Sequence, residues 1–191
     1  DLGKSLRAKK SFHVVALRST VLPGTCEKVG KMIQQDSWKV ADDDFSVVYN
    51  PEFLREGTAI HDYFHPPYTL VGSSCDKAID TMKKLYSNIG APFITSDIRV
   101  AELIKYANNA FHALKITFTN EIGNICKRLG IDSRDLMRIF CMDTTLNISP
   151  YYMKPGFAYG GSCLPKDLKA LHAVAHDLYL RCPVIESIEV S

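Results

Sequence analysis

The sequence lacks several features that would each fix a function class. It has no Cys-x-x-Cys pair: Cys26, Cys75, Cys126, Cys141, Cys163 and Cys182 are too loosely spaced for a zinc site or a disulfide framework. They suit a reducing compartment, and most read as small buried hydrophobes. No apolar run approaches the ~18–20 residues of a membrane span, and no signal-peptide core opens the chain. Neither charge sign dominates. The net charge is +2, with Lys and Arg scattered among Asp and Glu, so there is no basic stripe for nucleic acid. What remains is a cytoplasmic globular chain whose 46% hydrophobic residues suffice for a core in one domain or two small ones.

What is present alternates. Apolar, β-branched runs at 12–18, 45–49, 68–72 and 92–95 predict strands, with helices expected over about 25–35 and 76–88. Strand–helix alternation is the mark of a parallel sheet, so residues 1–96 read as an α/β, Rossmann-like half-domain. From residue 97 the apolar spacing becomes helical, running to Leu129 with Gly130 placed as its cap. Helices are expected next at 132–142 and 165–179, giving an all-α region over 97–191. A dinucleotide-binding fold normally opens with G-x-G-x-x-G. No such turn occurs here, and the first residue is Asp1 rather than Met, so the phosphate-gripping half is expected upstream.

Three constellations carry chemistry. In Gly160-Gly161-Ser162-Cys163-Leu164-Pro165-Lys166-Asp167, Pro165 suits a first helical turn, and Cys163 stands where the helix dipole and Lys166 favour a thiolate. Cys163 is then either a nucleophile or a buried cap residue, and these residues alone leave both open. Lys105 and Asn109 project four apart from an otherwise apolar helix, either as an oxyanion clamp or as a snorkelling pair. Glu52 and Glu56 follow a predicted strand, where ligands gather in open α/β sheets, and could equally be charges opening a helix. Thr20, in the turn after the first strand, either caps a helix or faces a ligand.

Taken together, Arg18-Ser19-Thr20-Val21-x-Pro23-Gly24, Asn50-Pro51-Glu52-Phe53-Leu54-Arg55-Glu56, Glu102-Leu103-Ile104-Lys105-x-x-x-Asn109 and Gly160-Gly161-Ser162-Cys163-x-x-Lys166-Asp167 resemble the UDP-glucose/GDP-mannose dehydrogenase family, in its order and over nearly the whole chain. The segment 146–161 looks most like the GDP-mannose branch, departing at Lys154, where that branch is expected to carry arginine. The resemblance implies an NAD-dependent, two-step oxidation of the sugar C6 alcohol to a carboxylate, from GDP-mannose to GDP-mannuronate. It implies that Cys163 holds the aldehyde as a thiohemiacetal and then a thioester, and that Lys105 and Asn109 stabilise the oxyanions. Asp167, or Glu52 with Thr20, would manage the attacking water, and Glu56, Lys166 and Thr20 would meet the cofactor. Phe53, Leu54, Asn147, Tyr151, Tyr152, Phe157 and Gly160 would line the sugar-nucleotide site. The helix over 98–129 would form a homodimer. UDP-glucose as substrate, and a non-catalytic dimerisation module descended from such an enzyme, stay open beside this reading. So does the activity of the 191 residues on their own. A cysteine–histidine hydrolase fits poorly, because no histidine stands in any of the four motifs.

Overall fold

The β-branched runs become strands where expected: β1 (His13–Leu17), β2 (Phe45–Tyr49), β3 (Thr69–Gly72) and β4 (Phe93–Ser96) form one sheet in the order β1-β2-β3-β4. The computed structural model describes residues 1–153, 155–156, 159 and 163–190. The helices are α1 (Leu2–Leu6), α2 (Thr25–Ser37), α3 (Ala59–Phe64), α4 (Asp76–Leu85), α5 (Ile98–Leu129), α6 (Ser133–Phe140), α7 (Cys163–Asp177) and α8 (Pro183–Val190). Two compact units result, Asp1–Asn109 and Ala110–Ser191, with the boundary inside α5. Among the described residues, no helix is long and apolar enough to cross a membrane.

In the first unit the sheet is mostly parallel, as the alternation predicts, but β2 and β3 run antiparallel. The β2–β3 connection (50–68) is about as long as the β3–β4 connection (73–92), but it carries only the six-residue α3, whereas α2 and α4 have 13 and 10 residues. The last residues of all four strands, Leu17, Tyr49, Gly72 and Ser96, pair in one row across the sheet. The central strands are covered on both faces. Val48 and Val71 pack with Cys75, Ala78, Met82 and Tyr86 on the α4 side, while Tyr49 and Leu70 pack with Cys26 of α2 and Ala101 of α5 on the other. β1 lies at the edge, with β2 its single partner.

The second unit closes around Ile125, Ala175, Cys182 and Ile185. Gly130 (φ 69°) ends α5 as expected, with the Ile131 N–H donating to the Cys126 carbonyl. The Asp132 carboxylate caps α6 by accepting from the Arg134 and Asp135 N–H groups.

Several boundaries differ from the sequence reading. α4 ends three residues before the expected 88, and α7 opens at Cys163, so Pro165 falls within its first turn rather than at its start. The sequence reading assigns no helix at α1, α3 or α8. Val184, Ile185, Ile188 and Val190 are a β-branched run that argues for a strand. α8 forms there because the buried Glu121 carboxylate accepts from the Val184 N–H at 2.8 Å and the Ile185 N–H at 3.0 Å, satisfying the helix's first donors from another element.

Candidate active site

In the first unit, the loops leaving β1 (residues 18–24) and β2 (residues 50–58) lie at the shared carboxyl end of these two parallel strands, beside the first turns of α5. Asn50 starts the second loop rigidly. Its amide donates to the Leu70 carbonyl at 2.9 Å, and its oxygen accepts from the Tyr86 hydroxyl at 2.5 Å, all buried. Two residues on, Glu52 meets Lys105 of α5. The Lys105 ammonium donates to the Glu52 main-chain carbonyl at 2.5 Å, lies 3.2 Å from its carboxylate, and sits 5.4 Å from the centroid of the Phe53 ring. Phe53 packs edge-on against Tyr68. Lys105 is therefore buried and caged, not snorkelling. Burial opposes charge on Glu52, but the Leu54 N–H and the Lys105 ammonium outweigh it, and the carboxyl sits below its usual range. Residues 50–56 are loop, so neither Glu52 nor Glu56 opens a helix.

Thr20 is exposed and does not cap α2, whose cap residue is Gly24. Glu56 and Asn109 are also exposed. Further along the β2 loop, Asp62 of α3 accepts from the Arg55 N–H, the Arg55 guanidinium and the Thr58 hydroxyl at 2.7–3.0 Å. The guanidinium holds this carboxyl well below the usual carboxylate range. Asp62 pins the loop, and the sequence offered no sign of it: the contact is made by the fold of the loop itself.

The α2 N-terminus would be the natural grip for a phosphate. It is already occupied. The Gly24 and Cys26 N–H groups donate to the Glu102 carboxylate at 2.6 and 2.8 Å.

In the second unit, Cys163 is exposed on the first turn of α7, followed by Lys166 and Asp167, whose charged groups lie 3.6 Å apart in solvent. Its exposure removes the buried-cap reading. The preceding segment is built from turns. The Asn147 amide donates to the Phe140 carbonyl, the Tyr151 N–H to the Ser149 hydroxyl, and the Tyr151 and Tyr152 rings pack edge-on at 4.7 Å. Phe157, Gly160 and Lys154 lie outside the described residues.

Comparison with known proteins places this geometry. Residues 2–90 match the NAD binding domain of the UDP-glucose/GDP-mannose dehydrogenase family, and residues 99–191 match its central domain. GDP-mannose 6-dehydrogenase of Pseudomonas savastanoi pv. phaseolicola is 50% identical over 98% of the chain. The structure of a ternary complex of GDP-mannose dehydrogenase from Pseudomonas aeruginosa superposes with a TM-score of 0.95 at 48% identity, over 98% of this chain and 43% of that one. A UDP-glucose dehydrogenase from Pyrobaculum islandicum superposes at 0.71 with 37% identity, over 97% of this chain and 42% of that one. The chain spans 43% of the length of the Pseudomonas savastanoi enzyme. With both of the family's domain signatures matched in order along the chain, it belongs to the UDP-glucose/GDP-mannose dehydrogenase family.

Proposed function

We propose that the chain supplies the second half of the NAD-binding domain (residues 1–96) and the central helical domain (97–191) of a cytoplasmic GDP-mannose 6-dehydrogenase. The observation that carries the reaction class is Lys105, a buried ammonium held at the carboxyl end of two parallel strands by Glu52. A cation fixed there is suited to an oxygen that becomes anionic during reaction, and Asn109 adds a donor one turn on. The greater likeness to the GDP-mannose enzymes than to the UDP-glucose enzyme supports the substrate.

NAD+ supplies the hydride acceptor for both oxidations; Thr20, Glu56 and Lys166 are the residues of this chain that would hold it. Cys163 acts between the two oxidations. Its sulfur adds to the C6 aldehyde and keeps that carbon bound as a thiohemiacetal, so the aldehyde does not escape. After the second oxidation the sulfur holds an acyl carbon as a thioester. Water adds to it, the resulting oxyanion is met by Lys105 and Asn109, and the carboxylate leaves as the thiol is restored. Asp167, or Glu52 with Thr20, takes the proton from that water. Phe53, Leu54, Asn147, Tyr151, Tyr152, Phe157 and Gly160 line the sugar-nucleotide site. A competition assay on the complete enzyme, with GDP-mannose and UDP-glucose at equal concentration, is expected to give preferential oxidation of GDP-mannose. Preference for UDP-glucose would move the protein to the sister branch with the same mechanism.

The same reading proposes a homodimer through α5. That helix exposes Val100, Leu103, Phe111, Leu114 and Ile116, and burying such side chains against a second copy is worth roughly 25 cal/mol per Å². The edge strand β1 offers a competing surface. Light scattering of the 191-residue chain at micromolar concentration is expected to give a dimer that Phe111→Glu dissociates and Val15→Lys does not. A monomer, or a dimer lost only with Val15→Lys, would overturn the assignment.

A further inference from the structure

Glu102 is among the most deeply buried side chains in the protein, at 0% exposure, and it has no part in the chemistry above. A buried carboxylate is costly unless it is well hydrogen-bonded. Among the described residues it makes no ion pair. The titratable groups facing it, Cys26 and Tyr49, are themselves held neutral. Burial first, and then Glu102, pushes the Cys26 thiol up to about 12, and burial also pushes the Tyr49 hydroxyl up. The partners of Glu102 are the Gly24 and Cys26 N–H groups at the positive end of α2.

Glu102 stands one helical turn from Lys105, on the same side of α5. Lys105 holds the Glu52 loop, and Glu102 holds the end of the loop that carries Thr20. These loops leave adjacent strands whose last residues, Leu17 and Tyr49, are paired. One turn of α5 thus grips both. We infer that Glu102 is a positioning residue that fixes the Thr20 loop relative to the Lys105–Glu52 pair. The inference rests on the dehydrogenase reading, which gives those three residues their roles.

Glu121 provides the control, because it caps α8 through the same pair of carboxylate–backbone bonds without touching either loop. The first measurement is an NMR titration of Glu52 in the 191-residue chain, as wild type, Glu102→Gln and Glu121→Gln. Release of the grip loosens the Lys105 contact, so Glu102→Gln is expected to move the Glu52 midpoint up toward its ordinary 4.5. It should also speed amide exchange at Gly24 and Cys26 by about tenfold or more. Loss of a nearby negative charge alone would move Glu52 down, because it removes a repulsion. Glu121→Gln should lower the melting temperature and speed exchange at Val184 and Ile185, leaving Glu52 unchanged. Where Glu102→Gln does not fold, Glu102→Asp, which keeps the charge on a shorter arm, should show the same upward shift in smaller degree. A Glu52 midpoint that stays or falls in the folded Glu102 variant overturns the inference. In the complete enzyme, Glu102→Gln should cut kcat about tenfold or more with the sugar-nucleotide KM changed less than about twofold, the split expected of lost alignment; equal loss with Glu121→Gln would show a merely structural role. A complete wild-type protein that oxidises no nucleotide sugar would overturn the dehydrogenase reading instead, with the titration still deciding Glu102.

Discussion

Replacing Cys163 by serine in the complete enzyme is expected to lower overall oxidation of GDP-mannose by roughly three orders of magnitude while the fold survives. Cys163 is exposed on the first turn of α7 and belongs to none of the buried clusters, so the exchange of sulfur for oxygen leaves no cavity. The chemical change is large. A serine hydroxyl is a far weaker nucleophile at neutral pH, and the oxygen ester it would form is less readily hydrolysed than a thioester. The variant should keep the circular dichroism and melting temperature of the wild type. Single-turnover experiments should show a thioester on the cysteine enzyme, cleaved readily by neutral hydroxylamine, whereas any acyl adduct on the serine variant would be a more persistent oxygen ester. Wild-type-like turnover by Cys163→Ser would remove Cys163 from the mechanism and leave the family assignment intact.

A second large effect is expected from one methyl group at Gly72. A Cβ built there would lie 2.6 Å from the Ala101 Cβ and 2.9 Å from the Ile98 Cα. Neither atom is the end of a flexible side chain, so α5 itself has to move. Overpacking of this kind costs about 1–3 kcal/mol, and for a chain of this size roughly 3–10 °C in melting temperature. The shift should also disturb the site, because Glu102 and Lys105 follow Ala101 on the displaced helix. Gly90→Ala is the control: it has ordinary φ and nothing within 4 Å of a new Cβ, and its melting temperature should match the wild type. An unchanged melting temperature for Gly72→Ala would mean that α5 is not seated on β3 as described.

The strands and the long helices were legible in the sequence because each carries its own periodicity. β1 and β2 are short β-branched runs, and α5 repeats its apolar residues at helical spacing until Gly130 ends it. The short helices were not. α3 is anchored by Asp62 to Arg55 and Thr58 within its own loop, and α8 by Glu121, 63 residues before Val184. The site divides in the same way. Glu52, Lys105 and Cys163 stand in motifs that single them out, and the sequence placed Cys163 at a helix mouth. It left Lys105 between a clamp and a surface residue, and gave Glu102 no role. By itself, then, the sequence determined the alternating elements, the family and the candidate chemical groups, since these depend on residue type and spacing along the chain. Only the tertiary structure decided which groups meet. The reversal between β2 and β3 sets all four strand ends in one row, α5 starts from that row, and a single turn of α5 then reaches both loops. The two α5 contacts join residues 78 and 53 positions apart, and such pairings follow from how strands are ordered and connected in space, not from any neighbour in the chain.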